Sequence, residues 1–117
     1  MKLDDIAKQL ALENLTPELR SGGSIDVSGG HASDLLSDVL ANAPKGGVLV
    51  TIQAHINVVA VSVHAGLAAV IFASGKFPAD SVRQKAVEEG IQLYSSKEPT
   101  FTIVGRLYAL GLRGPYA

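Results

Sequence analysis

Three short stretches bring together side chains able to do chemistry. Ser28-Gly29-Gly30 precedes an apolar-periodic segment, and a glycine turn ahead of a helix offers amides and a helix dipole that can hold phosphate. The stretch lacks the Lys-Ser or Lys-Thr of a full phosphate loop, and Asp34 and Asp38 add negative charge to the helix start. A glycine turn with Ser33 or Asp34 capping the helix is the simpler reading. His31, Asp34 and Asp38 fall at i, i+3 and i+7, close enough on one helical face to offer an imidazole and two carboxylates to a divalent cation. Such a site wants further ligands, and capping acids beside an exposed histidine give the same spacing, so we expect neither a metal nor a cofactor. Thr51, Gln53, His55 and Asn57 alternate where a strand end leads into a helix, the place where α/β folds hold ligands.

Acid/base work at His55 requires a nucleophile or an orienting carboxylate, and neither is adjacent in the sequence. We therefore assign no catalytic residues. Asn57 is expected to cap its helix, and Gln53 and His55 to hydrogen-bond across a pocket or subunit interface. His64 lies near the end of an apolar helix, where a C-terminal cap explains it.

The elements that must position these groups follow from periodicity. Leu3, Ile6, Ala7, Leu10 and Ala11 make one stripe of a first helix. After a turn at residues 21–24, the alternation over 24–28 predicts a half-buried strand ended by Gly29-Gly30. Leu35, Leu36, Val39, Leu40 and Ala43 form the buried face of a second helix, which Pro44 to Gly47 stops. Residues 48–52 and 67–73 read as strands, the second continuously apolar and so buried on both faces. Residues 56–65 alternate like a strand at Val59, Val61 and Val63, yet their place between two strands favours a crossover helix. Pro78 opens a polar helix with Val82, Ala86 and Val87 inward, closed by Gly90; residues 91–94 make the next strand. Pro99 opens a last helix with Phe101, Val104, Leu107 and Tyr108 on one side, ended by Gly111. The alternation implies one α/β layered domain over residues 1–117, with a largely parallel or mixed sheet flanked by helices.

The nearly wholly apolar helix over 56–65 is hard to bury with one layer of neighbours. A helix apolar all round needs cover all round, so a homodimer interface through Val58, Val59, Val61 and Val63 is expected, the alternative being burial between layers. Composition narrows the partners. With 117 residues, 10 Lys and Arg against 11 Asp and Glu, and only 18% of residues charged, the chain has no basic footprint for nucleic acid or anionic lipid. No Cys is present, which removes disulfides, thiolate metal sites and cysteine nucleophiles. Asp4 and Asp5 stand where a signal peptide carries basic residues, and no apolar run reaches the ~20 residues of a membrane span, so a cytoplasmic protein is expected.

Four stretches together resemble the DRTGG domain, especially its short stand-alone bacterial members. They are Val27-Ser28-Gly29-Gly30-His31-Ala32-Ser33-Asp34-Leu35-Leu36-Ser37-Asp38-Val39, Thr51-Ile52-Gln53-Ala54-His55-Ile56-Asn57-Val58-Val59-Ala60-Val61, Ala86-Val87-Glu88-Glu89-Gly90-Ile91 and Gly105-Arg106-Leu107-Tyr108-Ala109-Leu110-Gly111. The resemblance implies a fold like the N-terminal domain of HPr kinase and a non-catalytic, dimerising regulatory or interaction module, related to inserts in CBS-containing pyrophosphatases and large phosphotransacetylases. A small-molecule sensor of nucleotides or phosphorylated metabolites, or a partner for another protein, are the roles it brings. Where the family has Asp-Arg and then Asp two places on, this chain has Ala54-His55 and Asn57; for Thr-Gly-Gly it has Ala73-Ser74-Gly75. Of the naming residues only Gly75 is kept, and a turn after the 67–73 strand explains it. The candidate ligand residues are Gly29, Gly30, His31, Gln53, His55, Asn57 and Gly75.

Overall fold

In the computed structural model, which describes residues 1–19 and 24–114, a five-stranded sheet lies between two layers of helices. The strands are β1 (Glu13–Asn14), β2 (Gly30–Ala32), β3 (Val48–Thr51), β4 (Ala69–Phe72) and β5 (Gln92–Ser95), in the spatial order β1-β5-β4-β3-β2. β2 to β5 are parallel, and β1 adds antiparallel to β5. The helices are α1 (Leu3–Gln9), α2 (Leu36–Asn42), α3 (Asn57–Ala65), α4 (Asp80–Glu89) and α5 (Thr100–Ala109). The sheet is thus mixed, and the architecture is the layered α/β domain the periodicity implies.

Every residue of β3, β4 and β5 is buried, so each strand supplies two cores at once. Val48, Val50, Ala69, Ile71 and Tyr94 face Leu3, Ile6, Ile103 and Leu107 of α1 and α5. Alternate residues Leu49, Val70, Phe72 and Leu93 face Val39, Val58, Val59, Val82 and Ala86 of α2, α3 and α4. The period of two along each strand sorts the side chains between the layers.

Several expectations need correction. Residues 24–28 form no strand: Asp26 makes a single antiparallel bridge to Lys2, reinforced by a 3.1 Å ion pair, and pairing with β3 begins at Gly30 rather than ending there. The glycines keep this edge thin, because a Cβ at Gly29 would stand 2.5 Å from the Arg113 carbonyl oxygen. Of the 21–24 turn, residues 21–23 lie outside the described residues. Only Val39 of the expected α2 face is buried outright; Leu35 is 64% exposed and precedes the helix. On α5 the buried residues are Ile103 and Leu107, while Phe101, Val104 and Tyr108 face outward. β1 is too short to leave a pattern. Its neighbourhood is fixed instead by the buried Thr16 hydroxyl, which accepts the Leu93 N–H at 3.1 Å.

Two glycine replacements separate the two reasons for a glycine. Gly29→Ala forces the Arg113 carbonyl away and with it the Gly30 N–H bond to that oxygen, 3.0 Å long; urea unfolding should show a loss of about 1–3 kcal/mol. Gly75 has open space around it but a φ of +68°, so Gly75→Ala should cost about 1–2 kcal/mol through backbone conformation alone.

Candidate functional site

The carboxyl ends of β2, β3 and β4 meet along one edge, and the loop after β3 is organised by its own side chains. Asp34, in the link from β2 to α2, accepts the Thr51 hydroxyl at 2.9 Å and the Ile52 N–H at 2.8 Å. The Thr51 oxygen in turn accepts the Gln53 N–H at 3.0 Å, Gln53 Oε1 accepts the His55 N–H at 3.3 Å, and His55 Nδ1 accepts the Asn57 N–H at 3.2 Å. Each residue therefore brackets the backbone two places on, the competing local bond that pulls Ser, Thr and similar residues out of strands and into turns. Alternation at 51, 53, 55 and 57 is real, but its product is this chain of brackets rather than one strand face.

The consequences are chemical. Because Nδ1 accepts, the neutral His55 ring carries its proton on Nε2, and the ring is exposed. Gln53 spends its carbonyl oxygen and keeps its amide N–H groups as donors. Asn57 is the first residue of α3, not its cap; His55 supplies the acceptor that caps it. Val58 and Val59 donate to the His55 and Ile56 carbonyls at 3.0 and 3.1 Å, so the first amides of α3 are occupied and form no open anion cradle.

Beside this loop, the turn after β4 carries two left-handed residues, Ser74 with φ +58° and Gly75 with φ +68°. Their amides donate to the Glu98 and Ser96 carbonyls, both at 2.8 Å, while Ala73 donates to Thr51 at 2.9 Å. Gln53, His55, Asn57 and Gly75 therefore share the carboxyl edge of β3 and β4.

Gly29, Gly30 and His31 do not join them. The two glycines lie at the start of β2, before a strand rather than a helix. The Gly30 N–H is spent on Arg113, and the Gly29 carbonyl accepts the Val48 N–H at 2.9 Å. With the Gly30 N–H and the Gly29 carbonyl committed and a strand rather than a helix following, Ser28-Gly29-Gly30 does not sit at a helix N-terminus. His31 Nε2 meets Asp38 Oδ2 at 2.8 Å, and Asn42 donates to the other Asp38 oxygen at 2.8 Å. Asp34 is turned away to Thr51, so the three side chains do not converge, and among the described residues no group of three or more His, Cys, Asp or Glu could hold a metal ion. On α3, Val58 and Val59 are fully buried in the subunit's own core, which takes them out of any interface; Val61 packs partly against that core and Val63 is 41% exposed. His64 is exposed in the last turn of α3.

Two clefts went unnoticed in the sequence. One, of about 240 Å³, runs between β2 and the end of α5 and is lined by Ala32, Val50, Val104, Leu107, Tyr108 and Arg113 together with the candidate residues Gly30 and His31. It exists because β2 presents only Gly30 and Ala32 to that side. The other, of about 410 Å³, lies beside β1 and β5 and mixes Lys97, Glu98 and Arg106 with Leu10 and Phe77. Neither is lined by residues 51–57.

The His31–Asp38 pair has a measurable signature. Hydrogen bonds from His31 first, then Asn42 and Ser33, hold the Asp38 carboxyl at about 2 against an ordinary 3.8. With its folded-state value depressed, the contribution to stability is complete above the ordinary value and is lost as pH falls through about 2. In His31→Ala the carboxyl titration followed by NMR should move up toward 3.8; an unmoved curve would assign the depression to Asn42 and Ser33.

No protein-family model matches the sequence, and no curated protein does. Among solved structures, the fold is similar to the CBS and DRTGG domains of the regulatory region of Clostridium perfringens pyrophosphatase, determined with its activator diadenosine tetraphosphate, with a TM-score of 0.71 and 17% sequence identity. The match covers 98% of this chain and 49% of that one, so this chain spans about half the length of its neighbour. No helix among the described residues is long and apolar enough to cross a membrane. The architecture and this likeness together give the chain a DRTGG-like α/β fold.

Proposed function

We propose that this chain is a non-catalytic regulatory domain acting as a homodimer, with the carboxyl edge of β3 and β4 as its ligand-sensing surface. The observation that carries the reading is the bracketed loop, which fixes the His55 ring through Nδ1 and leaves Nε2–H, with the Gln53 and Asn57 amides, as donors on a positioned, exposed edge. A catalytic reading finds less support. His31 is spent on Asp38, and His55 uses its basic nitrogen on a backbone amide, so neither imidazole is poised as a base. The role is intracellular and needs no cofactor.

A protein-interaction module without a ligand is the companion reading, and the bound activator of the structural neighbour favours the sensor. Donors without a fixed cation suit the base and ribose edges of a nucleotide better than its phosphates.

Thermal unfolding with diadenosine tetraphosphate, AMP and inorganic phosphate separates the readings. A ligand at 100 times its Kd adds about 2.7 kcal/mol, several degrees for a domain of this length. We expect a shift with the adenine compounds that His55→Ala removes, read against the mutant's own unliganded melting temperature, which loss of the cap on α3 should lower by a few degrees. Calorimetry showing no heat with any of the three up to millimolar concentration would sink the nucleotide sensor and leave the interaction module.

A further inference from the structure

The cleft between β2 and α5 carries one fixed cation, and no acid lines it. Its walls are hydrocarbon at Ala32, Val50, Val104 and Leu107, and the His31 ring is already bonded to Asp38. Arg113 supplies the charge. Its guanidinium lies 3.7 Å over the Tyr108 ring, and its Nη1 donates to the Tyr108 and Leu112 carbonyls at 3.0 and 2.9 Å. Those two bonds use both Nη1 hydrogens. Among the described residues nothing accepts from Nε or Nη2, and no carboxylate pairs with the group. The Nε–H and one Nη2–H leave a guanidinium side by side, the fork that a carboxylate meets with two parallel bonds. Ring stacking and the two carbonyls hold that fork in advance, so little side-chain freedom is left to lose when a ligand binds.

Charge and size define the occupant. A lone guanidinium balances a single negative charge, whereas a phosphate dianion would set an unmatched charge against hydrocarbon, which desolvation penalises. The walls call for an apolar body, and the exposed Val104 and Tyr108 gain cover from one. A volume of about 240 Å³ lies below the roughly 300–1,000 Å³ of sites for drug-sized ligands, so that body is a single ring or a short branched chain.

We propose that this cleft binds a small apolar monocarboxylate, an aryl or branched alkyl acid, with its carboxylate on the Nε–Nη2 fork of Arg113 and its hydrocarbon against Ala32, Val104 and Tyr108. The site is separate from the 51–57 loop and goes beyond the sensing role proposed for that edge.

Titration of the full chain with phenylacetate, followed by NMR shifts of Val50 and Val104, tests it. The acid should shift these resonances saturably. Phenylacetamide, acetate and inorganic phosphate at the same millimolar concentrations should not, because the first lacks the charge, the second the body, and the third both the single charge and the body. Arg113→Lys keeps the charge and loses the fork, and should weaken binding about tenfold; the Gly30 N–H bond goes to the Arg113 main chain and survives the exchange. Ala32→Leu fills the cleft from an exposed position, and should abolish binding with an unchanged circular dichroism spectrum. His55→Ala should bind the acid as the wild type does, so this site and the sensing edge stand or fall separately. An amide that binds as well as the acid, or an Arg113→Gln variant of unchanged affinity, would overturn the carboxylate assignment. Phosphate that displaced the acid would overturn the ligand class, and no shift with either phenylacetate or isovalerate would overturn the site.

Discussion

The inner strands of the sheet have no side turned to water, and most of the structure follows from accommodating that. With β3, β4 and β5 buried on both faces, α1 and α5 must cover one side and α2, α3 and α4 the other. Strand polar groups are satisfied within the ladder, so polar side chains gather at the sheet's ends, where the ladder stops. That is why Asp34, Thr51, Gln53, His55 and Asn57 converge on one edge. It is also why β2, at the margin, can run with Gly30 and Ala32 and leave a cleft beneath α5.

The carboxyl edge is ordered by hydrogen bonds that would otherwise be made by water. Asp34 alone ties the end of β3 to the link after β2, and the successive brackets carry that order to the first residue of α3. A loop held this way presents its remaining donors without first paying to arrange them. The same economy closes the edge to a phosphate cradle, because the amides that would make one are already engaged.

How much of this was legible depended on whether one physical signal dominated a segment. The 67–73 run is apolar at every position, as a strand buried on both faces requires, and β4 lies within it. The 24–28 alternation looked equally strand-like, yet pairing starts past the glycines, where Gly30 and Ala32 carry almost no side chain to signal it. β1 spans two polar residues and is specified from afar, by Thr16 bonded to Leu93. The spacing of Thr51, Gln53, His55 and Asn57 was visible, but a period of two belongs both to a strand face and to side chains bracketing their own backbone. Nothing in the sequence distinguishes the two until Asp34 is known to hold Thr51.

A helix with apolar residues on opposite faces needs cover on both, and α3 and α5 differ in where that cover comes from. α3 sits between α2 and α4, so Val58 and Val59 find their cover inside the subunit. α5 lies beside β3 and β2 near the sheet's margin, and among the described residues its Phe101, Val104 and Tyr108 are left exposed. The Ser74 and Gly75 amides, next to the 51–57 loop, donate to Glu98 and Ser96, the residues that lead into α5 through Pro99. A ligand that tightened the turn after β4 would therefore act on the start of α5 through Glu98 and Ser96.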